Sequence, residues 1–89
     1  DFCRQIRKSA RAAPALIAEG FGRFRRPEFA RYLEMALGEL AETRNHLRDG
    51  THCGHFTIDE FRTLWRICYR AKLASTGLLL YLKKSKEPP

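Results

Sequence analysis

The sequence predicts an all-α protein with three antiparallel helices in one domain over residues 1–89. Apolar residues recur every three or four positions over 2–19, 27–48 and 57–84, the spacing that places them on one face of a helix. No stretch alternates apolar and polar residues in the manner of a strand. The connecting segments are short, so consecutive helices are expected to form an up-down bundle.

The first helix is predicted to have an apolar face and a basic face. Its core stripe is expected to contain Phe2, Ile6, Ala10, Ala13 and Ile17. On the opposite side, about 100° of arc holds four positive charges, on Arg4, Arg7, Lys8 and Arg11. Pro14 lies inside the pattern and is expected to kink the helix, because proline removes a backbone hydrogen bond.

The turn after this helix is predicted to display positive charge. Gly20 is expected to stop the first helix, since glycine takes a positive φ without a steric clash. Pro27 is expected in the first turn of the second helix. Phe21 and Phe24 are expected to enter the core, while three arginines stay in water: Arg23, Arg25 and Arg26.

The second helix is predicted to be acidic and to carry more apolar surface than one seam buries. Its core stripe comprises Phe29, Leu33, Ala36, Leu37, Leu40 and Leu47, and Asp49-Gly50 is expected to end it. Gly38 lies on the far side and costs about 1 kcal/mol relative to alanine, which indicates a close contact with another helix. We therefore predict an oligomer interface at Tyr32, Met35, Gly38 and Glu39.

The third helix has the best-defined start. Thr57 and Glu60 have the spacing of a capping box, in which each side chain binds the other residue's backbone N–H. The predicted core face then runs through Phe61, Leu64, Trp65, Cys68, Ala71, Ser75, Leu78, Leu79 and Leu82. Leu73, Leu80 and Tyr81 lie off this face, and that surplus argues for a further helix or for self-association.

The charge of the chain is positive and uneven. Over 89 residues the net charge is +7, with seven Lys/Arg against two acids in 1–26, three against five in 27–56 and seven against three in 57–89. This excess favours an anionic partner, most often nucleic acid, although it also aids solubility.

Location and membrane contact are predicted from composition. Three cysteines form an odd set without paired spacing, which favours a reducing compartment. The N-terminal stretch is charged and unlike a signal peptide, and no apolar run reaches the ~18 residues of a membrane span. We expect a cytoplasmic protein without membrane contact.

Several short segments carry a likeness to a known family: Gln5–Lys8, Pro14, Ile17–Arg23, Glu28-Phe29, Tyr32-Leu33 and Ala36–Glu42. They resemble the "four helix bundle protein" family, which is encoded by intervening sequences inside bacterial 23S rRNA genes. Accessory proteins of diversity-generating retroelements look related. The likeness extends over nearly the whole chain, and IAEGFGR and ALGELAE are its most specific parts.

The resemblance implies an antiparallel up-down four-helix bundle that assembles as a homopentamer and presents a basic surface to nucleic acid. The retroelement relatives partner a reverse transcriptase and its template RNA. The family has a helix before the position of Phe2, so the first of four helices is expected to be missing from this chain. That helix would cover the surplus apolar residues. The family usually has a polar residue, often Asn, where this chain has Leu16, so no role of that side chain is carried over.

The predicted nucleic-acid site combines the two basic groups of the first 26 residues: Arg4, Arg7, Lys8, Arg11, Arg23, Arg25 and Arg26. Such side chains bind phosphates, and the affinity falls steeply with salt. The alternative is a solvated helix face. A weaker candidate for phosphate binding is the stripe formed by Arg62, Arg66 and Arg70. The alternative for this stripe is pairing with the acidic second helix of another subunit. The aromatic side chains can stack on bases, but their positions on or beside apolar stripes favour packing; they are Tyr32, Trp65, Tyr69 and Tyr81.

No enzyme, metal or cofactor site is predicted. His46, His52, Cys53 and His55 lack the two-by-two spacing of a structural zinc site, so a polar loop is the favoured interpretation. Glu19 has no nucleophile or second acid beside it, and a structural role such as pairing with Arg23 is favoured. No P-loop, nucleophile elbow or cofactor glycine motif is present.

The sequence therefore predicts a non-enzymatic, homo-oligomeric bundle protein that presents a basic surface to RNA. The alternative is an assembly or scaffold protein that docks an acidic protein partner, as a reverse-transcriptase accessory protein would.

Overall fold

The chain is all-α with three helices, as the sequence predicts. The computed structural model describes residues 2–23 and 25–84, and no strand occurs in these ranges. The helices are α1 (Phe2–Phe21), α2 (Arg26–His52) and α3 (Ile58–Lys84). The protein is elongated, with extents of 55 × 19 × 13 Å. Phe24 and the side chain of Phe2, both predicted in the core, lie outside the described part.

Small side chains join α1 to α2 in antiparallel orientation. Ser9 lies beside Thr43, and Gly20 lies beside Tyr32, so residue numbers rise along α1 as they fall along α2. Between these two points, buried Ala13 shares a core cluster with Ala36 and Leu40 of α2. Side-chain size at the contact sets the distance between helix axes, so this seam is a close one.

The prediction that Ala10 lies in the core is wrong, because Ser9 is buried and Ala10 is exposed. The Thr43 hydroxyl donates a hydrogen bond to the Ser9 hydroxyl at 2.7 Å. The Ser9 hydroxyl in turn donates to the backbone carbonyl of Gln5 at 3.1 Å. A buried hydroxyl that is hydrogen-bonded costs little, so a polar residue can occupy this core position.

Gly20 does not stop α1, contrary to the prediction. It is buried inside the last turn of a helix that continues to Phe21. A Cβ at Gly20 would lie 2.6 Å from the Cβ of Tyr32, so glycine is required there because α2 passes so close. Phe21 is 67% exposed, so its predicted burial is also wrong. Pro27 does lie in the first turn of α2, as predicted.

The second helix is longer than predicted and ends in a Schellman motif. It passes through Gly50 and ends at His52. Gly54 follows with a φ of +79°, which glycine adopts without strain. The Gly54 N–H donates to the Thr51 carbonyl at 3.1 Å, and the His55 N–H donates to the Gly50 carbonyl at 2.8 Å. This is the paired hydrogen-bond pattern that terminates a helix at a left-handed glycine.

The predicted capping box at the start of α3 is confirmed. The Thr57 N–H donates to the Glu60 carboxylate at 2.9 Å, and the Glu60 N–H donates to the Thr57 hydroxyl at 3.1 Å. Two backbone donors that the helix leaves unpaired are thereby satisfied, which fixes where α3 begins.

α3 packs on a second side of α2. Lys83 of α3 pairs with Glu34 of α2 at 3.0 Å, and Arg44 of α2 lies over Trp65 of α3, so α2 and α3 are antiparallel. In the described ranges no Cα of α1 comes within 8 Å of a Cα of α3. The central helix therefore holds two neighbours whose backbones stay apart, and an open side remains between them. Their side chains still meet at shared core clusters, where Ile17 of α1 and Ala71 of α3 both pack.

Much of α3 remains uncovered. Only Ser75, Leu79 and Leu82 are buried, whereas several large apolar side chains are exposed, including Tyr81 at 59%. Leu64 and Leu78, predicted on the core face, are also exposed. Four exposed side chains share about 100° of arc on the side towards the opening: Leu64, Ile67, Leu78 and Tyr81.

We expect the substitution Gly20→Ala to lower the free energy of unfolding. The new methyl group would collide with Tyr32, and overpacking of this kind costs about 1–3 kcal/mol. Gly77→Ala is the matched control: Gly77 is also helical but has no heavy atom within 4 Å of its would-be Cβ, so alanine should add up to about 1 kcal/mol of helix propensity. Urea denaturation followed by circular dichroism measures both. Equal stabilisation by the two substitutions would contradict the close seam.

Candidate nucleic-acid interface

The predicted basic face of α1 points away from α2. The residues of α1 that pack on α2 include Ser9, Ala13 and Gly20, and the basic side chains lie about 180° around the helix from them. All four are exposed and line one depression of about 500 Å³ together with Ala12: Arg4, Arg7, Lys8 and Arg11. We call these four side chains the α1 basic face.

Three of the four charges of the α1 basic face lack an ion-pair partner in the described part of the chain. Among the described residues, Arg7, Lys8 and Arg11 make no ion pair. Lys8 also borders a smaller recess of about 230 Å³, whose lining includes Glu39 and Glu42 of α2. The acidic side of α2 therefore begins where the α1 basic face ends. The charges of Arg7, Lys8 and Arg11 remain directed to solvent.

Arg23 belongs to a different environment from the α1 basic face. Its guanidinium donates to the Glu19 carboxylate at 3.1 Å and to the Tyr32 hydroxyl at 2.8 Å. The hydrogen bond with Glu19 is the main cause that raises the pKa of Arg23 above its ordinary value. The predicted pairing of Glu19 with Arg23 is confirmed, and Arg23 acts as a bridge between α1 and α2.

Arg25 and Arg26 lie at the far end of α1 from the α1 basic face. From Arg11 to the end of α1 the helix rises about 15 Å, so the seven predicted residues do not form one cluster. Arg25 and Arg26 border a pocket of about 310 Å³ that is otherwise lined by apolar and aromatic side chains: Phe21, Phe29, Leu78, Tyr81 and Leu82. The predicted constellation divides into the α1 basic face and this corner.

A second basic region at the start of α3 includes two arginines that the sequence analysis did not single out. Arg44 and Arg48 of α2 lie over the Trp65 ring, with guanidinium carbons 4.5 and 5.3 Å from its centroid. Such contacts stabilise the cation electrostatically. The spacing of four residues indicates that Arg44 and Arg48 share one face of α2. Their aromatic partner lies on another helix, so the sequence alone does not predict the contact.

The predicted oligomer-interface residues occupy two different environments. Tyr32 packs on Gly20 and accepts a hydrogen bond from Arg23, so it already serves the contact between α1 and α2. Met35 and Gly38 are exposed, and nothing in the described chain lies within 4 Å of a Cβ placed on Gly38. Glu39 is half-buried. A close contact at Gly38 would therefore have to come from another chain.

The His and Cys residues around the α2–α3 turn form no cluster that could hold a metal ion, considering the described residues alone. His52 ends α2, and Cys53 is its exposed C-cap residue. His46 lies further back on α2, where its Nε2 is buried without a hydrogen-bond partner in the described part of the chain. None of the described helices has an apolar stretch long enough to cross a membrane.

These features define a small helical protein with an outward basic face and an uncovered apolar side. Comparison of the sequence with protein families gives its family: the 23S rRNA-intervening sequence protein family matches residues 1–74. The chain belongs to this family, as its resemblance predicted. No curated protein and no solved structure matches it.

We expect Cys68 to be the slowest of the three thiols to react with iodoacetamide. Burial raises the pKa of the Cys68 thiol, and nearby Arg44 offsets only part of this effect. Cys3 and Cys53 are exposed. A raised pKa means less thiolate at about pH 8. Cys68 labelling should therefore reach half its maximal rate at a higher pH in the native protein than in the urea-unfolded protein. Peptide mapping by mass spectrometry gives each rate, with urea-unfolded protein as the control. Labelling of native Cys68 at the rate of Cys3 would contradict this.

Proposed function

We propose that this protein is a non-enzymatic RNA-binding protein that contacts phosphates through the α1 basic face. The observation that supports this most strongly is the group of uncompensated charges on Arg7, Lys8 and Arg11. They share one exposed depression and turn away from the core. The family is named for intervening sequences in 23S rRNA, which makes RNA the nucleic acid of first choice.

The energetics of the α1 basic face favour a phosphate partner over simple solvation. Its four residues form like-charge neighbours at i,i+3 and i,i+4, such as Arg4 with Lys8 and Arg7 with Arg11. Each such pair destabilises a helix by roughly 0.2–0.5 kcal/mol. Bound phosphates replace this repulsion with attraction and release counterions. Solubility alone does not require the charges to be concentrated on one arc.

The second part of the proposal concerns assembly. The open side between α1 and α3, with its exposed apolar side chains, suits a fourth helix that completes an up-down bundle. The exposed strip of α2 at Met35 and Gly38 then suits contact between copies, in the homopentamer that the family resemblance implies. We further propose that the protein acts in the cytoplasm and needs no metal or cofactor.

A second candidate function is docking to a protein, such as a reverse transcriptase. The exposed apolar surface of α3 favours it, because Leu73 and Leu80 are exposed on one side of this helix and large apolar patches commonly mark interaction sites. In that case the basic faces would match an acidic partner and RNA affinity would be absent.

We expect fluorescence anisotropy to detect binding of structured RNA that weakens steeply with salt. Replacing Arg7, Lys8 and Arg11 by alanine should reduce the affinity and lower the slope of log K against log salt by about 2–3, since each lost phosphate contact removes about 0.7–0.9. The variant Arg31→Ala/Lys72→Ala/Lys84→Ala is the control, because it removes the same charge elsewhere. Equal weakening by both variants, or no binding at low salt, would contradict the proposed site.

We expect size-exclusion chromatography with light scattering to give an oligomer that Gly38→Leu dissociates. Nothing in the described chain opposes a side chain at Gly38, so the monomer fold should be kept, whereas a close contact between copies would be blocked. Gly77→Leu is the matched control, because Gly77 is an equally open helical glycine on α3. A monomeric parent protein, or an oligomer that tolerates Gly38→Leu, would refute this interface.

A further inference from the structure

The first half of α3 repeats an aromatic residue followed by arginine three times at a spacing of four: Phe61-Arg62, Trp65-Arg66 and Tyr69-Arg70. With 3.6 residues per turn, the three aromatics form one stripe and the three arginines an adjacent one. Successive pairs are about 6 Å apart along the helix. We call these six residues the aromatic–arginine face.

The packing around Trp65 holds this face in place while leaving part of it open. The Phe61 ring lies 5.2 Å from the Trp65 ring, centroid to centroid. Arg44 and Arg48 lie over the Trp65 ring from α2. Tyr69 is 46% exposed. A groove of about 360 Å³ runs along the face and is lined by Phe61, Arg62, Trp65, Arg66 and Tyr69.

Core packing explains only part of the aromatic–arginine face. It accounts for the half-buried rings of Phe61 and Trp65, but Tyr69 is exposed on the same groove. Arg62, Arg66 and Arg70 are exposed and make no ion pair among the described residues. The acids nearest in sequence, Asp59 and Glu60, lie in the first turn, and Glu60 caps the helix. The groove is therefore both aromatic and electropositive.

We propose that the aromatic–arginine face binds unpaired bases of single-stranded RNA. Bases stack on aromatic rings and on guanidinium planes without regard to sequence, while arginines bind the adjoining phosphates. The ~6 Å spacing of the pairs exceeds the ~3.4 Å step of a stacked strand, so only an unstacked strand can follow the groove. This inference rests on the proposed RNA-binding function and adds the class of RNA structure recognised.

The two basic regions lie at the same level of the bundle. Thr43 and Arg44 are consecutive on α2; Thr43 lies beside Ser9 of α1, and Arg44 lies over Trp65 of α3. The α1 basic face and the aromatic–arginine face therefore share one end of the molecule. An RNA with a paired stem next to an unpaired stretch matches this arrangement, with the stem phosphates on α1 and the bases on α3.

Trp65 reports on this site directly, because it is the only tryptophan in the chain. We expect single-stranded oligouridylate, whose bases are largely unstacked, to quench its fluorescence saturably, whereas an RNA duplex of equal length and inorganic polyphosphate should leave it nearly unchanged. Tyr69→Ala should weaken the oligouridylate affinity at least about fivefold, the typical effect of removing one stacking ring. Tyr69→Phe should retain the affinity. Tyr81→Ala, which removes another exposed tyrosine of α3, should also leave it unchanged.

Three outcomes would overturn the inference. Binding of structured RNA by anisotropy without any change in Trp65 fluorescence would sink it and leave the proposed function intact. Equal quenching by polyphosphate or by polyglutamate would show that the face attracts anions and does not recognise bases. Absence of all RNA binding would sink the inference and the proposed function together. N-acetyltryptophanamide titrated in parallel corrects for absorption by the oligonucleotides.

Discussion

The close seam between α1 and α2 is the constraint on which the rest of the structure depends. Gly20 has no room for a side chain against Tyr32, and Ser9 is held to Thr43 by a buried hydrogen bond. These two fixed points set both the register and the rotation of α1. Because the seam occupies one side of α1, the basic side chains must occupy the other, and their exposure follows from packing.

The turn between α1 and α2 reinforces the same seam. Arg23 connects Glu19 at the end of α1 with Tyr32 on α2. An exposed ion pair of this kind contributes little on its own, but here it adds to a packed ring and a buried glycine. The positive charge of Arg23 is therefore largely committed to structure, in contrast to the charges of Arg7 and Arg11. Arginines of the same predicted site thus have different roles.

The sequence predicts the helices and the capping box well, because these depend on local spacing. It fails where a residue's role is set by another helix. Gly20 was predicted as a helix stop because glycine usually acts so, whereas its actual role depends on Tyr32, twelve residues later. The burial of Ser9 is not predictable for the same reason, since its hydroxyl faces α2 and accepts a hydrogen bond from Thr43 there. The α1 basic face was predictable from periodicity, but the stacking of Arg44 and Arg48 on Trp65 needs the tertiary structure.

The basic side chains and the uncovered apolar side chains occupy different sides of the protein. α2 is packed on both sides, yet α1 and α3 each keep a side without a neighbour, since their Cα atoms stay more than 8 Å apart in the described ranges. An apolar filling of the opening between them would stabilise the bundle without covering the α1 basic face, because that face is directed away from α2. The aromatic–arginine face also lies on a different side of α3 from Ile67 and Leu78. The assembly and the RNA binding that we propose therefore do not compete for surface, so a completed bundle can present both basic regions at one end.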